Sequence, residues 1–288
     1  MVFNKEKHMS ASPLIDCNEL LGLLEDPRLV LLDVRADLRD HTMGRRLYEE
    51  GHIRAARFCD MEADVSGART GANGRHPLPD SGRFCANMRR LGLNPDSICV
   101  VYDGGACNFA ARLWFTLRWV GFENVRVLNG GWRAWREASL TVTRESPDVT
   151  VGTWRAAPPL ERVWDVREIE RNLETEDYLL VDARSADRFA GQNETLDPKG
   201  GHIPGSINRP CGDNLTEQGL FKAADLLARE FENLLEGRDP ASVINSCGSG
   251  VTACCNHLAM TAAGLPSAGV YIGSWSEWSA NPDHPTEP

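Results

Sequence analysis

Leu31-Leu32-Asp33-Val34-Arg35 and Leu180-Val181-Asp182-Ala183-Arg184 are two short apolar runs, each carrying an aspartate and closed by an arginine, and they read as one motif written twice. Working outward, Gly51-His52-Ile53 returns as Gly201-His202-Ile203-Pro204-Gly205, and Val100-Val101-Tyr102-Asp103-Gly104-Gly105 as Val243-Ile244-Asn245-Ser246-Cys247-Gly248. Gly131-Trp132-Arg133-Ala134-Trp135 returns as Ser274-Trp275-Ser276-Glu277-Trp278. The four offsets are 149, 150, 144 and 143 residues, nearly constant and in one order, so a duplicated domain is inferred. Buried-strand runs alternate with helical patterns, which predicts an α/β fold in each copy: a mainly parallel sheet flanked by helices. The first copy is expected over residues 10–142 and the second over 160–285. Between them, residues 143–159 read as a linker, because Ser146-Pro147-Asp148 and Pro158-Pro159 interrupt any regular pattern.

The chain has 288 residues, 42% hydrophobic and 25% charged, long enough for two soluble domains with a core in each. A net charge of -10 without a Lys/Arg-rich run argues against a nucleic-acid or anionic-membrane surface, so any anion site is local. No apolar stretch approaches a membrane span of about 18 residues. The opening MVFNKEKHMS lacks the apolar core of a secretory signal, which makes a cytoplasmic location the expectation. Nine cysteines, at 17, 59, 85, 99, 107, 211, 247, 254 and 255, show neither C-x-x-C pairs nor a zinc-finger spacing. They predict neither a disulfide framework nor a metal site, and most read as small buried hydrophobes.

Cys247 differs from the other eight in its setting. Val243-Ile244-Asn245 reads as a strand end and 253–260 as a helix, so Cys247-Gly248-Ser249-Gly250-Val251-Thr252 is a strand-to-helix turn. The two glycines allow positive φ and let backbone N–H groups converge on one centre, where the helix N-terminus also favours an anion. Such a centre stabilises a thiolate and, equally, a persulfide. The first copy has Asp103 at the aligned position, a carboxylate that cannot carry sulfur; chemistry is therefore expected in the second copy, with the first as wall or scaffold. Cys254 and Cys255 fall inside the helix and read as structural. A cysteine-dependent phosphatase is the competing enzyme class, but it requires an arginine six positions after the cysteine, where this chain has Ala253.

With these motifs in order, the chain resembles the rhodanese superfamily, specifically its two-domain thiosulfate/3-mercaptopyruvate sulfurtransferases, over almost its whole length. The resemblance implies tandem rhodanese-like domains with the active cleft between them and an inactive first copy. It also implies catalysis by Cys247 and Ser249, with Gly248, Gly250, Val251 and Thr252 lining the substrate site. Cys-Gly-Ser-Gly-Val-Thr is similar to the 3-mercaptopyruvate branch, whereas the thiosulfate branch carries two cations after the cysteine. Arg188 aligns with the family's substrate-binding arginine, whose fork suits a carboxylate. The chain departs from the pattern where that branch places a second arginine: residues 191–199 contain none, and Lys199 is the candidate replacement. His76, with Glu62 as its acid, is expected to approach Ser249 from the first domain. Asp33, Asp182, His52, His202, Arg35 and Arg184 read as scaffold.

The expected function is transfer of a sulfane sulfur from 3-mercaptopyruvate, through a Cys247 persulfide, to a thiophilic acceptor: a small thiol, thioredoxin or cyanide. No metal or organic cofactor is called for. Thiosulfate:cyanide sulfurtransfer is the alternative enzyme reading, and a non-catalytic sulfur-carrier or redox-sensing module the alternative of another class.

Overall fold

The computed structural model describes residues 12–288. The opening segment, and residues 10 and 11 of the expected first domain, lie outside the described residues. The first unit runs β1 (Leu14–Ile15), α1 (Cys17–Leu23), β2 (Leu29–Asp33), α2 (Met43–Glu50), β3 (His52–Ile53), β4 (Ala56–Phe58), α3 (Ser81–Arg90), β5 (Ile98–Tyr102), α4 (Asn108–Trp119), β6 (Val125–Leu128), α5 (Gly131–Glu137) and β7 (Val142–Thr143). The second runs β8 (Val163–Trp164), α6 (Val166–Thr175), β9 (Leu179–Asp182), α7 (Ala186–Phe189), β10 (Ile207–Asn208), α8 (Ala224–Leu235), β11 (Val243–Ser246), α9 (Ala253–Ala262), β12 (Gly269–Tyr271) and α10 (Ser274–Trp278).

The two five-stranded sheets have the same order, β1-β6-β5-β2-β4 and β8-β12-β11-β9-β10, and every pairing within them is parallel. Both faces of such a sheet are covered, which is why β2, Leu-Val-Leu-Leu-Asp, is buried at every position. The duplication extends to helix starts: α1 and α6 each open on a capping box, Asp16 with Glu19 and Asp165 with Glu168, 149 residues apart. It extends to the scaffold pairs as well. Arg35 grips Asp33 and donates to Gly51 O at 2.7 Å; Arg184 grips Asp182 and donates to Gly201 O at 2.8 Å. His52 stacks on Tyr48 and His202 on Phe189, at ring separations of 3.8 and 3.7 Å.

Residues 144–159 form an extended strap along the first unit, which it joins by N–H bonds from Gly152 to Arg89 O, Trp154 to Leu93 O and Ala157 to Val120 O. Trp154 is buried edge-on against Phe122. The strap places the second unit so that α9 packs on α4, the corresponding helix of the first. One apolar cluster passes through this contact without a break, from Leu113, Trp114 and Phe115 to Cys255, Leu258 and Ala259. Beside it, Glu161 holds Arg118 of the first unit and His257 of the second. The crossover turns that precede α4 and α9 are thereby brought to the junction. Among the described residues, no helix is long and apolar enough to cross a membrane.

Candidate active site

The turn between β11 and α9 carries Cys247, whose side chain is almost wholly buried. Gly250, at φ +73°, bends the chain back so that its N–H donates to Cys247 Sγ at 3.1 Å. A Cβ at Gly250 would lie 2.4 Å from Ile272 O, so only glycine fits this bend. The N–H groups of Gly248, Ser249, Val251 and Thr252 have no protein acceptor among the described residues. They are donors left open on the turn that carries the sulfur. Ser274 supports the turn from α10, accepting the Cys247 N–H at 3.1 Å with its hydroxyl 3.9 Å from the sulfur.

The first copy reveals what such a turn holds. There the Asp103 carboxylate accepts N–H bonds from Gly105, Cys107, Phe109 and Ala110 at 2.9–3.2 Å, filling the cradle with an anion of its own. Gly105 and Cys107 correspond to Ser249 and Val251, whose amides are open in the second copy. A cavity of about 630 Å³ borders the Asp103 turn, walled by Phe109, Trp132 and Leu215, but no nucleophile sits at its anion site.

The first unit reaches over to the Cys247 turn. Ser249 Oγ is 2.8 Å from His76 Nδ1, and His76 Nε2 is 3.1 Å from Glu62 Oε1, so the three expected residues stand in line across the junction. The contact with His76 holds Glu62 below the ordinary carboxylate range. Burial pushes the His76 imidazole below its ordinary value, outweighing the opposing pull of Glu62. An ionised Glu62 requires a proton on Nε2, which leaves Nδ1 as the acceptor for the Ser249 hydroxyl.

Arg188, on α7, spends Nε and Nη2 on Glu194, at 2.8–3.1 Å, and Nη2 also approaches Asp197. Its Nη1 is left facing the turn: a Cβ built on Gly248 would lie 3.6 Å from it. Arg75 stands opposite. Its Nη1 contacts Asp197, and its Nη2 comes within 3.1 Å of the same Gly248 position. The peptide of Arg75 is pinned there by an N–H bond to Ser276 Oγ, while Ser276 N–H binds Gly248 O. Two guanidinium groups thus converge over Gly248, one from each unit.

Lys199 does not join them. The expectation that it replaces the second arginine is corrected by its ammonium, which donates to the carbonyls of Asn281, Pro282 and His284 and ties the C-terminal segment down. Arg75 and Arg112 were missed by the sequence reading. Arg112 is fully buried on α4, donating to Gly250 O and His76 O at 2.9 Å each, so it braces both walls and sets a positive charge behind the cysteine. Neither residue has a local signal, since each acts across the junction. Cys254 sits in the helix as expected and its thiol donates to Gly250 O at 3.3 Å.

A thiol in a cradle of amides, served by a proton relay and two free guanidinium edges, defines a nucleophilic sulfur-transferring enzyme built from two tandem units. Both units match the family model described as "Rhodanese-like domain", over residues 16–138 and 165–281. The chain is 39% identical over 279 residues to the "Probable 3-mercaptopyruvate sulfurtransferase" of Pseudomonas aeruginosa, covering 96% of this chain and 98% of that protein. It is 33% identical over 258 residues to the thiosulfate sulfurtransferase of Mus musculus, covering 88% and 85%. The solved structure of the 3-mercaptopyruvate sulfotransferase SseA from Escherichia coli superposes with a TM-score of 0.79 at 31% identity, covering 93% of this chain and all of that one. The chain belongs to the rhodanese family, as a two-domain sulfurtransferase.

Proposed function

We propose that the enzyme takes sulfur from 3-mercaptopyruvate, holds it as a Cys247 persulfide, and passes it to a thiol such as thioredoxin or to cyanide. The observation that carries this reading is the meeting, at one turn, of a sulfur that accepts the Gly250 N–H, a hydroxyl beside His76 and two free guanidinium edges. A ketoacid thiol needs all three. Its carboxylate docks on Arg75 Nη2 and Arg188 Nη1 over Gly248, and its ketone lies toward Ser249.

The Cys247 thiolate attacks the donor sulfur. An S–S bond forms, the donor C–S bond breaks, and the electron pair passes into an enolate. The donor thiol's proton moves through Ser249 to His76 Nδ1 and returns to the enolate carbon, so pyruvate leaves and the persulfide anion stays under the open amides. In the second half-reaction a thiolate or cyanide attacks the outer sulfur and Cys247 departs as thiolate. No step calls on a metal or organic cofactor. All nine cysteines are unpaired, which suits a reducing, cytoplasmic setting.

Thiosulfate as donor is the second reading, favoured by cations beside the nucleophile; Arg75 and Arg188 provide through space what the turn itself lacks. A donor panel with pyruvate and sulfite release as readouts decides between them. Mass spectrometry after donor treatment is expected to find one added sulfur on Cys247, and Cys247→Ser is expected to lose both the added sulfur and turnover. Donor turnover by that variant at the normal rate would reject both enzyme readings.

A further inference from the structure

The loop between α7 and β10 presents two acids to the cations of the site. Glu194 and Asp197 are 5% and 3% exposed at the side chain, an uncommon degree of burial for loop carboxylates. The loop is folded to hold them inward: Glu194 Oε1 accepts the N–H groups of Leu196 and Asp197 at 2.9 and 3.1 Å. Asp197 then bridges Arg75 of the first unit and Arg188 of the second. Behind them Arg184 pairs with Asp182 and lies 3.7 Å from Glu194. Three guanidinium groups are therefore matched by three carboxylates within one cluster, although two of the guanidinium groups still point a free N–H at Gly248.

From this we infer that Asp197, with Glu194, sets donor specificity by charge: it leaves the two arginines able to bind a carboxylate but cancels the positive potential a dianion needs. A ketoacid thiol brings one negative charge and is satisfied by the free N–H edges. Thiosulfate brings two in a smaller volume, and its second charge meets guanidinium groups already matched by carboxylates, with Asp197 behind them. Burying these acids is costly by itself, and a loop evolved only to orient two arginines does not require ionised partners, since neutral amides accept the same hydrogen bonds. The inference rests on the proposed ketoacid reading and names the residues that enforce it.

The test compares Asp197→Asn with the natural chain, because asparagine Oδ1 still accepts from Arg75 while the charge is gone. kcat/KM is measured for 3-mercaptopyruvate and for thiosulfate, together with competitive inhibition by sulfate, a dianion, and pyruvate, a monoanion. Removing one buried charge from a partly desolvated cluster acts once on a monoanion and twice on a dianion, so the ratio of the two donors is expected to move toward thiosulfate by roughly tenfold or more. Sulfate inhibition is expected to tighten more than pyruvate inhibition by a similar factor. Glu194→Gln, which leaves the Arg75 contact intact, is expected to shift both ratios in the same direction and decides the matter if the first variant does not fold. Parallel loss with both donors and unmoved inhibitor ratios, the result of a merely structural role, would overturn the inference. Failure of the ketoacid reading is seen separately, as a natural enzyme that releases sulfite from thiosulfate and no pyruvate from 3-mercaptopyruvate.

Discussion

His76 owes its placement to two opposite demands on one imidazole. Its ring must be neutral to take a proton from Ser249, and it must be held by a carboxylate, which by itself would favour the charged form. Burial decides the contest, because the first unit closes over the ring and pushes its pKa below the ordinary histidine value of 6.5. The sign for activity follows: the relay is competent above that lowered pKa and is lost as the pH falls through it and Nδ1 becomes protonated. Single-turnover pyruvate release is thus expected to hold its rate from neutrality through the ordinary histidine range and to fall only on its acid side. His76→Asn is expected to lower the rate by roughly 10²- to 10⁴-fold and to remove the acid limb. An acid limb unchanged in that variant would assign the titration to another group.

At the scale of elements, the pair of crossover turns explains both what the sequence disclosed and what it withheld. The strand, the glycine bend and the helix are contiguous, so the anion cradle around Cys247 was legible from six residues, and the copy bearing Asp103 supplied the control. His76 and Glu62 could be named only through family resemblance. Arg75, Arg112 and Ser276 could not, since their roles arise from packing between segments far apart in the chain, and Lys199 was misassigned because nothing local foretells that three carbonyls of the C-terminal segment capture it. One element-scale signal does lie in the sequence, at the glycine-to-serine difference between the two copies. Gly131 opens α5 at φ +54°, and its counterpart Ser274 opens α10 at φ +53°, a conformation that costs a side chain about 1 kcal/mol or more. The serine is tolerated there while its hydroxyl accepts from the Cys247 N–H and donates to Tyr271 O. Ser274→Ala and Ser274→Gly both discard the hydroxyl, but only glycine relieves the backbone. Both are expected to transfer sulfur more slowly, with the glycine variant the more stable of the two by about 1 kcal/mol in denaturant unfolding. Equal stabilities would mean that the turn stores no strain.

For the whole molecule, the site exists only where the two units meet, and the energetics of that junction bear on cooperativity. The nucleophile and its amides belong to the second unit, while His76, Glu62, Arg75 and Arg112 belong to the first. The units share one apolar cluster through α4 and α9, and Glu161, paired with His257 of the second unit, reaches across to Arg118 of the first. Separating them would bare that cluster to water and take the Gly250 carbonyl from Arg112, leaving it only His76 O of its own unit. Neither unit is therefore expected to unfold ahead of the other. Leu258 tests this: it is fully buried on α9 within the shared cluster, and truncation to alanine there is expected to cost about 2–5 kcal/mol. In a calorimetric scan the loss should appear as one transition moved to lower temperature with its shape kept. A split trace, with one part left at the original temperature, would show two independently stable domains and make the junction a contact of convenience rather than a common core.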